Sequence, residues 1–70
     1  MTTYFDMPTQ VKFWDTESER YICGIAYCDE IICCECGGVI LINELYEFVP
    51  DGIEPIKIFD SWVDFSEYIR

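Results

Sequence analysis

Tyr21, Cys23, Ile25 and Tyr27 alternate along the chain with Ile22, Gly24, Ala26 and Cys28. Side chains of a strand point to opposite faces in turn, so an extended segment here is largely apolar on both sides. Such a strand belongs in the middle of a sheet. Upstream, Val11 to Trp14 is an aromatic-rich extended segment and Thr16 to Glu19 a polar break, which together predict strand, turn, strand. Asp29 and Glu30 mark the next turn, Ile31 to Cys34 supply a third strand, and Gly37-Gly38 ends it.

The stretch after the glycines carries a helical period. Leu41, Leu45 and Phe48 recur at i, i+4 and i+7, as do Ile42, Tyr46 and Val49, with Asn43, Glu44 and Glu47 on the other side. Val39 to Ile42 fits an extension of the sheet equally well, leaving Asn43 to cap a shorter helix. Pro50, Asp51 and Gly52 stop it. Ile56 to Phe59 reads as a further strand, free to run on toward Val63, with Pro55 at its first position or on an edge. Asp64 followed by Glu67 is the acidic variant of a capping box and predicts a helix running to the C-terminus. The predicted fold is α+β: one domain over residues 1–70, a small antiparallel sheet of three to five strands with one or two short helices on a face.

Composition adds a tension. The 70-residue chain carries fourteen Asp and Glu against four Lys and Arg, a formal charge of −10. Self-repulsion on that scale works against a compact state, and 70 residues lie near the lower size limit for a single core. Against this, 51% of residues are hydrophobic and 17% aromatic, unlike a disordered acidic tail. The chain is therefore expected to fold, with Trp14 and Trp62 in the core, as a monomer or homodimer. Met1 to Met7 has neither a basic start nor a long apolar stretch. The strongest apolar run, Val39 to Ile42, is far below the roughly 20 residues that span a bilayer. A cytoplasmic protein is expected, with no membrane partner, because an anionic lipid surface repels it.

Five cysteines, Cys23, Cys28, Cys33, Cys34 and Cys36, crowd into fourteen residues. Cys33-Cys34-Glu35-Cys36-Gly37-Gly38 holds a C-x-x-C followed by glycines and resembles half of a zinc ribbon. A complete ribbon needs a second pair to place four ligands about 2.3 Å from the metal, and neither that pair nor any His follows. Cys23 and Cys28, extended, stand roughly 16 Å apart on opposite faces and exclude each other as co-ligands. A hairpin turning at Asp29-Glu30 would bring Cys23, Cys33 and Cys36 toward one another as a three-ligand candidate, with Cys28 or Cys34 as a fourth. The simpler reading is no cofactor: free Cys packs as a small hydrophobe. A reactive thiol needs a neighbouring cation or base, and the sequence offers no His, few cations, and the carboxylates Asp29, Glu30 and Glu35.

Enzyme chemistry finds little support. Without His, no Ser-His or Cys-His nucleophile assembles, and there is no G-x-G-x-x-G, P-loop or EF-hand loop. Glu44 with Glu47, or Asp64 with Glu67, has the spacing for acid–base work or Mg²⁺, but such pairs on short helices read first as a solvated face. A non-enzymatic protein is expected.

The acidity itself is then the candidate functional element. Asp15, Glu17 and Glu19 alternate, and in an extended segment they would project from one face about 6.6 Å apart. That is a phosphate-like spacing of charge. A groove rich in Lys and Arg on a nucleic-acid-handling protein is the natural partner, and direct binding to nucleic acid is disfavoured. In small size, strong acidity and scarcity of basic residues, the chain resembles the DNA-mimicking inhibitors of phages and mobile elements, including many anti-CRISPR proteins. The resemblance is compositional and covers the whole chain. It implies that Asp15, Glu17, Glu19, Asp29, Glu30 and Glu35 occupy a DNA- or PAM-reading site on a CRISPR effector. The alternative is a small zinc-organised interaction module built on Cys23, Cys33 and Cys36.

Overall fold

A computed structural model describes residues 4–69. Five strands, β1 (Phe5–Asp15), β2 (Arg20–Cys28), β3 (Glu30–Cys33), β4 (Val39–Leu41) and β5 (Ile56–Ile58), form one antiparallel sheet in the order β4-β3-β2-β1-β5. Two short helices complete it, α1 (Ile42–Glu47) and α2 (Trp62–Tyr68). The small α+β architecture is the one the hydrophobic pattern predicts, and β2 is central, as expected of a strand apolar on both faces.

The registers sort the sheet into two faces. Val11 lies opposite Gly24, which lies opposite Cys33, and Phe13 lies opposite Ile22 and Ile56. With Ala26, Ile31 and Ile42 these residues form the main core, and Leu45 of α1 packs against it. The second face carries Lys12, Trp14, Tyr21 and Cys23. There α2 inserts Phe65, 1% exposed, edge-on to Phe59 at 5.2 Å between centroids, and Tyr68 donates its hydroxyl to the carbonyl of Tyr21. Burying a side chain the size of Phe65 contributes roughly 1.5–3 kcal/mol. The helices therefore cover opposite faces rather than one.

Several boundaries move for identifiable reasons. β1 begins at Phe5, well before Val11, and passes through Pro8. Its register shifts between Phe5 and Thr9, and such a bulge accommodates a residue with no N–H to donate. The β2–β3 connection is one residue earlier than expected, Cys28-Asp29, with Tyr27 opposite Glu30. Both sequence readings of the segment after the glycines hold in part: β4 runs straight into α1, whose N-cap is Leu41 without a side-chain cap, so Asn43 sits inside the helix. Phe59 leaves the sheet, its N–H donating to Gln10 O at 3.0 Å. The last helix starts three residues before Glu67's expected partner can cap it: Ser61 is the N-cap, and its Oγ accepts from Asp64 N–H at 3.3 Å. Asp64 thus supplies the acidic third position rather than the cap. Trp62 is 58% exposed, not a core residue.

Candidate interaction surface

All fourteen carboxylates fall within the described residues, and every one except the half-buried Asp15 is exposed. What decides the surface potential is where the cations go. Lys12 projects from β1 into an aromatic box, its Nζ 5.5 Å from the Phe59 ring centroid and 5.9 Å from those of Tyr21 and Tyr68. Lys57, opposite Lys12 on β5, lies 4.7 Å from the Tyr21 ring. Arg20 bonds Glu35 through Nη2, 3.0 Å to one carboxylate oxygen and 3.3 Å to the other. That is the ion pair among the described residues, so the remaining carboxylates have no cationic partner there.

The six carboxylates singled out from the sequence are not one patch. Asp15, Glu17 and Glu19 sit at the β1–β2 turn, and Glu35 joins that end because Arg20, beside the turn, holds it. Asp29 and Glu30 sit at the other end of β2, about 26 Å away along nine residues of strand. The expected alternation of Asp15, Glu17 and Glu19 on an extended face is not present, because Thr16 to Glu19 is a turn. Asp15 serves that turn: its carboxylate accepts from Ser18 Oγ at 2.6 Å and from Glu17 N–H at 3.2 Å. The Ser18 hydroxyl foremost, aided by these backbone donors, holds the Asp15 carboxyl below its ordinary range.

Two carboxylates set aside in the sequence join this end instead. Glu44 and Glu47 of α1, with Asp15, border a groove of about 540 Å³ whose apolar lining is Phe13, Trp14, Ile40, Leu45 and Phe48. Their i, i+3 spacing is the signal that placed them on one side of a helix. Phe48 is 70% exposed at its lip, whereas the Trp14 indole packs edge-on to Tyr21 on the second face. On the other face, beyond α2, the half-buried Ile25 and the exposed Ile32 and Val39 stand in register across three strands as an apolar row.

The cysteines separate into two pairs and a single. Cys34 N–H donates to Cys23 O at 3.2 Å, and with Glu35, Tyr68 and Ile69 these two line a small hollow. Burial first, then the neighbouring Cys34, pushes the Cys23 thiol up to about 11. Cys33 points the opposite way, into the main core, and its partner is Cys36. Cys28 stands alone at the far end of β2. The structure therefore does not bring Cys23, Cys33 and Cys36 together: adjacent cross-strand positions face opposite sides of a sheet, and the turn after Cys33 returns Cys36 to the Cys33 side. Among the described residues no group of three or more Cys, Asp or Glu is arranged to hold a metal ion, and no helix is long and apolar enough to cross a membrane.

Missing from the sequence reading was what holds Cys36. The β3–β4 turn closes through Gly37 N–H to Cys33 O at 2.9 Å and Cys33 N–H to Gly38 O at 2.8 Å, with Gly37 at φ 75°. Gly38 N–H then points at Cys36 Sγ, 3.4 Å away. That backbone donor, and next the Cys33 thiol, hold the Cys36 thiol below its ordinary range despite Glu35. No family model, curated protein or solved structure matches this chain.

Proposed function

We propose that this protein is a non-enzymatic acidic binding protein that occupies the positively charged nucleic-acid-binding site of a partner protein, as a DNA-mimicking inhibitor does. The observation that carries the reading is the use of the cations. Two lysines lie over aromatic rings and one arginine is held by a single glutamate, which leaves an acidic surface with little internal neutralisation. Such a surface draws in a basic partner and loosens as salt rises.

The groove between β1 and α1 is the best-formed contact point. A Lys or Arg of the partner can lay its aliphatic stem on Phe13, Leu45 and Phe48 and present its charged head to Asp15, Glu44 and Glu47. The carboxylates of Glu17 and Glu19 beside it extend the same field. An anti-CRISPR role on a CRISPR effector is the specific form of this reading that the acidic composition suggests.

The test is capture of the partner from host lysate with the wild-type chain and with a variant carrying Glu17→Lys, Glu19→Lys, Glu44→Lys and Glu47→Lys. These four side chains are exposed and make none of the turn's hydrogen bonds, so the fold is retained. The expected partner is a nucleic-acid-binding protein, released by added DNA and by salt, and not retained by the variant. Equal capture by the variant with an unchanged salt slope would refute the proposal.

A further inference from the structure

The β3–β4 turn carries chemistry that acidic binding does not use. Cys36 is exposed on it, Cys33 is 5% exposed beneath it, and the two face the same side of a turn pinned by two backbone hydrogen bonds. The Gly38 N–H at 3.4 Å stabilises negative charge on Cys36 Sγ, the role a cation or base plays at other reactive thiols. Glu35, the carboxylate that opposes a thiolate here, is engaged by Arg20 at 3.0 Å. One sulfur is accessible and activated, and a second is shielded from solvent but adjacent to the first.

We propose that Cys33 and Cys36 are a thiol–disulfide exchange pair, with Cys36 the nucleophile, Cys33 the resolving thiol, and an external disulfide the substrate. Cys36 thiolate attacks one sulfur of R–S–S–R; a Cys36–S–R bond forms, the S–S bond breaks, and R–S⁻ leaves. Cys33 then attacks Cys36 Sγ, forming the Cys33–Cys36 bond and expelling the second R–S⁻, which takes up the Cys33 proton and leaves as R–SH. The external disulfide is reduced by two electrons and the protein dithiol is oxidised by two. The bridge closes within a single turn of chain, where the Cys33 and Cys36 side chains already face one another within hydrogen-bonding reach, and a disulfide needs a Cβ separation of roughly 3.5–4.5 Å. The exposed, glycine-flanked turn supplies that adjustment. Burial of Cys33 explains the order of events, since a bulky disulfide reaches only Cys36.

The experiment is a time course of the reduced full-length protein with oxidised glutathione, quenched in acid and read by intact mass and peptide mapping. Cys28 is the internal control, being exposed but remote from any second thiol of the turn. Wild type is expected to gain glutathione at Cys36 ahead of Cys28 and then to lose it, leaving a Cys33–Cys36 bridge. Cys33→Ala is expected to stop at the Cys36 mixed disulfide, and Cys36→Ser to lose the bridge while Cys28 reacts as before. Because Cys33 lies in the core, melting curves of Cys33→Ala and of the more polar Cys33→Ser accompany the assay, and the folded one is used. Glutathionylation of Cys36 no faster than of Cys28, or a first bridge between Cys23 and Cys34, would overturn the proposal.

Discussion

Replacing Gly24 with alanine tests the packing on which the whole sheet depends. Gly24 is the midpoint of β2, opposite Val11 on one side and Cys33 on the other. An alanine Cβ there would lie 2.7 Å from Ile31 Cγ2, 2.9 Å from the Ile32 carbonyl oxygen and 3.1 Å from Phe13 Cε1, whereas carbon contacts are favourable at about 3.5–4.0 Å. None of the three can step aside cheaply. Ile31 is 0% and Phe13 3% exposed, and the carbonyl is part of the β3 backbone, so β3 must move away from β2. Forcing a methyl group into such a site costs about 1–3 kcal/mol, and two contacts this short place it in the upper half of that range. Alanine recovers roughly 0.5–1 kcal/mol through the lower freedom of its unfolded chain, for a net loss of about 1–2.5 kcal/mol. Unfolding entropy of about 2.1 cal/mol/K per residue converts each kcal/mol into roughly 7 °C for a chain of this size. Circular-dichroism melts in reducing buffer should therefore show Gly24→Ala melting about 7–17 °C below wild type. An unchanged or raised melting temperature would refute the assigned β2–β3 register and its core.

Two further outcomes follow from the turns. Cys28 is at φ 56° in the first position of a two-residue hairpin turn, a setting that favours glycine, so Cys28→Gly should raise stability by about 1 kcal/mol in the same melts. Asp15 titrates below its ordinary value of 3.8 because Ser18 and the turn's backbone hydrogen-bond its charged form. A carboxyl depressed on folding contributes stability in full above its unfolded pKa and loses it as pH falls through the folded one. The stability difference between wild type and Asp15→Asn, measured by urea unfolding, should accordingly be constant above about pH 5 and shrink as pH falls below 3.8; a difference that persists unchanged into stronger acid would contradict the turn geometry.

What the sequence discloses and what it hides divide along a physical line. The alternation from Tyr21 to Cys28 is a period-two signal that survives folding, because β2 is paired on both edges and covered on both faces. The helix caps were less legible: Asp64 and Glu67 satisfy a capping pattern, but Ser61, with the same acidic residue three positions later, satisfies it better and also lets Phe65 reach the sheet. β1 reaches back to Phe5, beyond the expected Val11 to Trp14, by way of a bulge between Phe5 and Thr9, and a bulge has no signature in a single sequence. The cysteine geometry turned on one residue. A hairpin at Cys28-Asp29 instead of Asp29-Glu30 sets Cys33 opposite Gly24 and brings Cys34 rather than Cys36 beside Cys23, while in either register Cys23 and Cys33 point to opposite faces. Glu44 and Glu47 are visible as a pair, but their placement on the same groove as Asp15 is set by the tertiary arrangement of α1 and the end of β1, which no local spacing encodes.

The charge of −10 is tolerated because of how this sheet distributes it. The two turn groups lie about 26 Å apart along β2, several times the Debye length of about 8 Å at physiological salt, so repulsion between these two groups is largely screened. Lys12 and Lys57 are then not required as counterions. They are free to lie on Tyr21, Phe59 and Tyr68, where each cation–ring contact contributes on the order of 0.5–2 kcal/mol and ties α2 to the second face. The same placement that stabilises the fold keeps the lysines off the carboxylates. A variant that moved either lysine to the β1–β2 end would weaken the second face and neutralise part of the acidic field together, which makes stability and partner attraction two consequences of one arrangement rather than opposing demands.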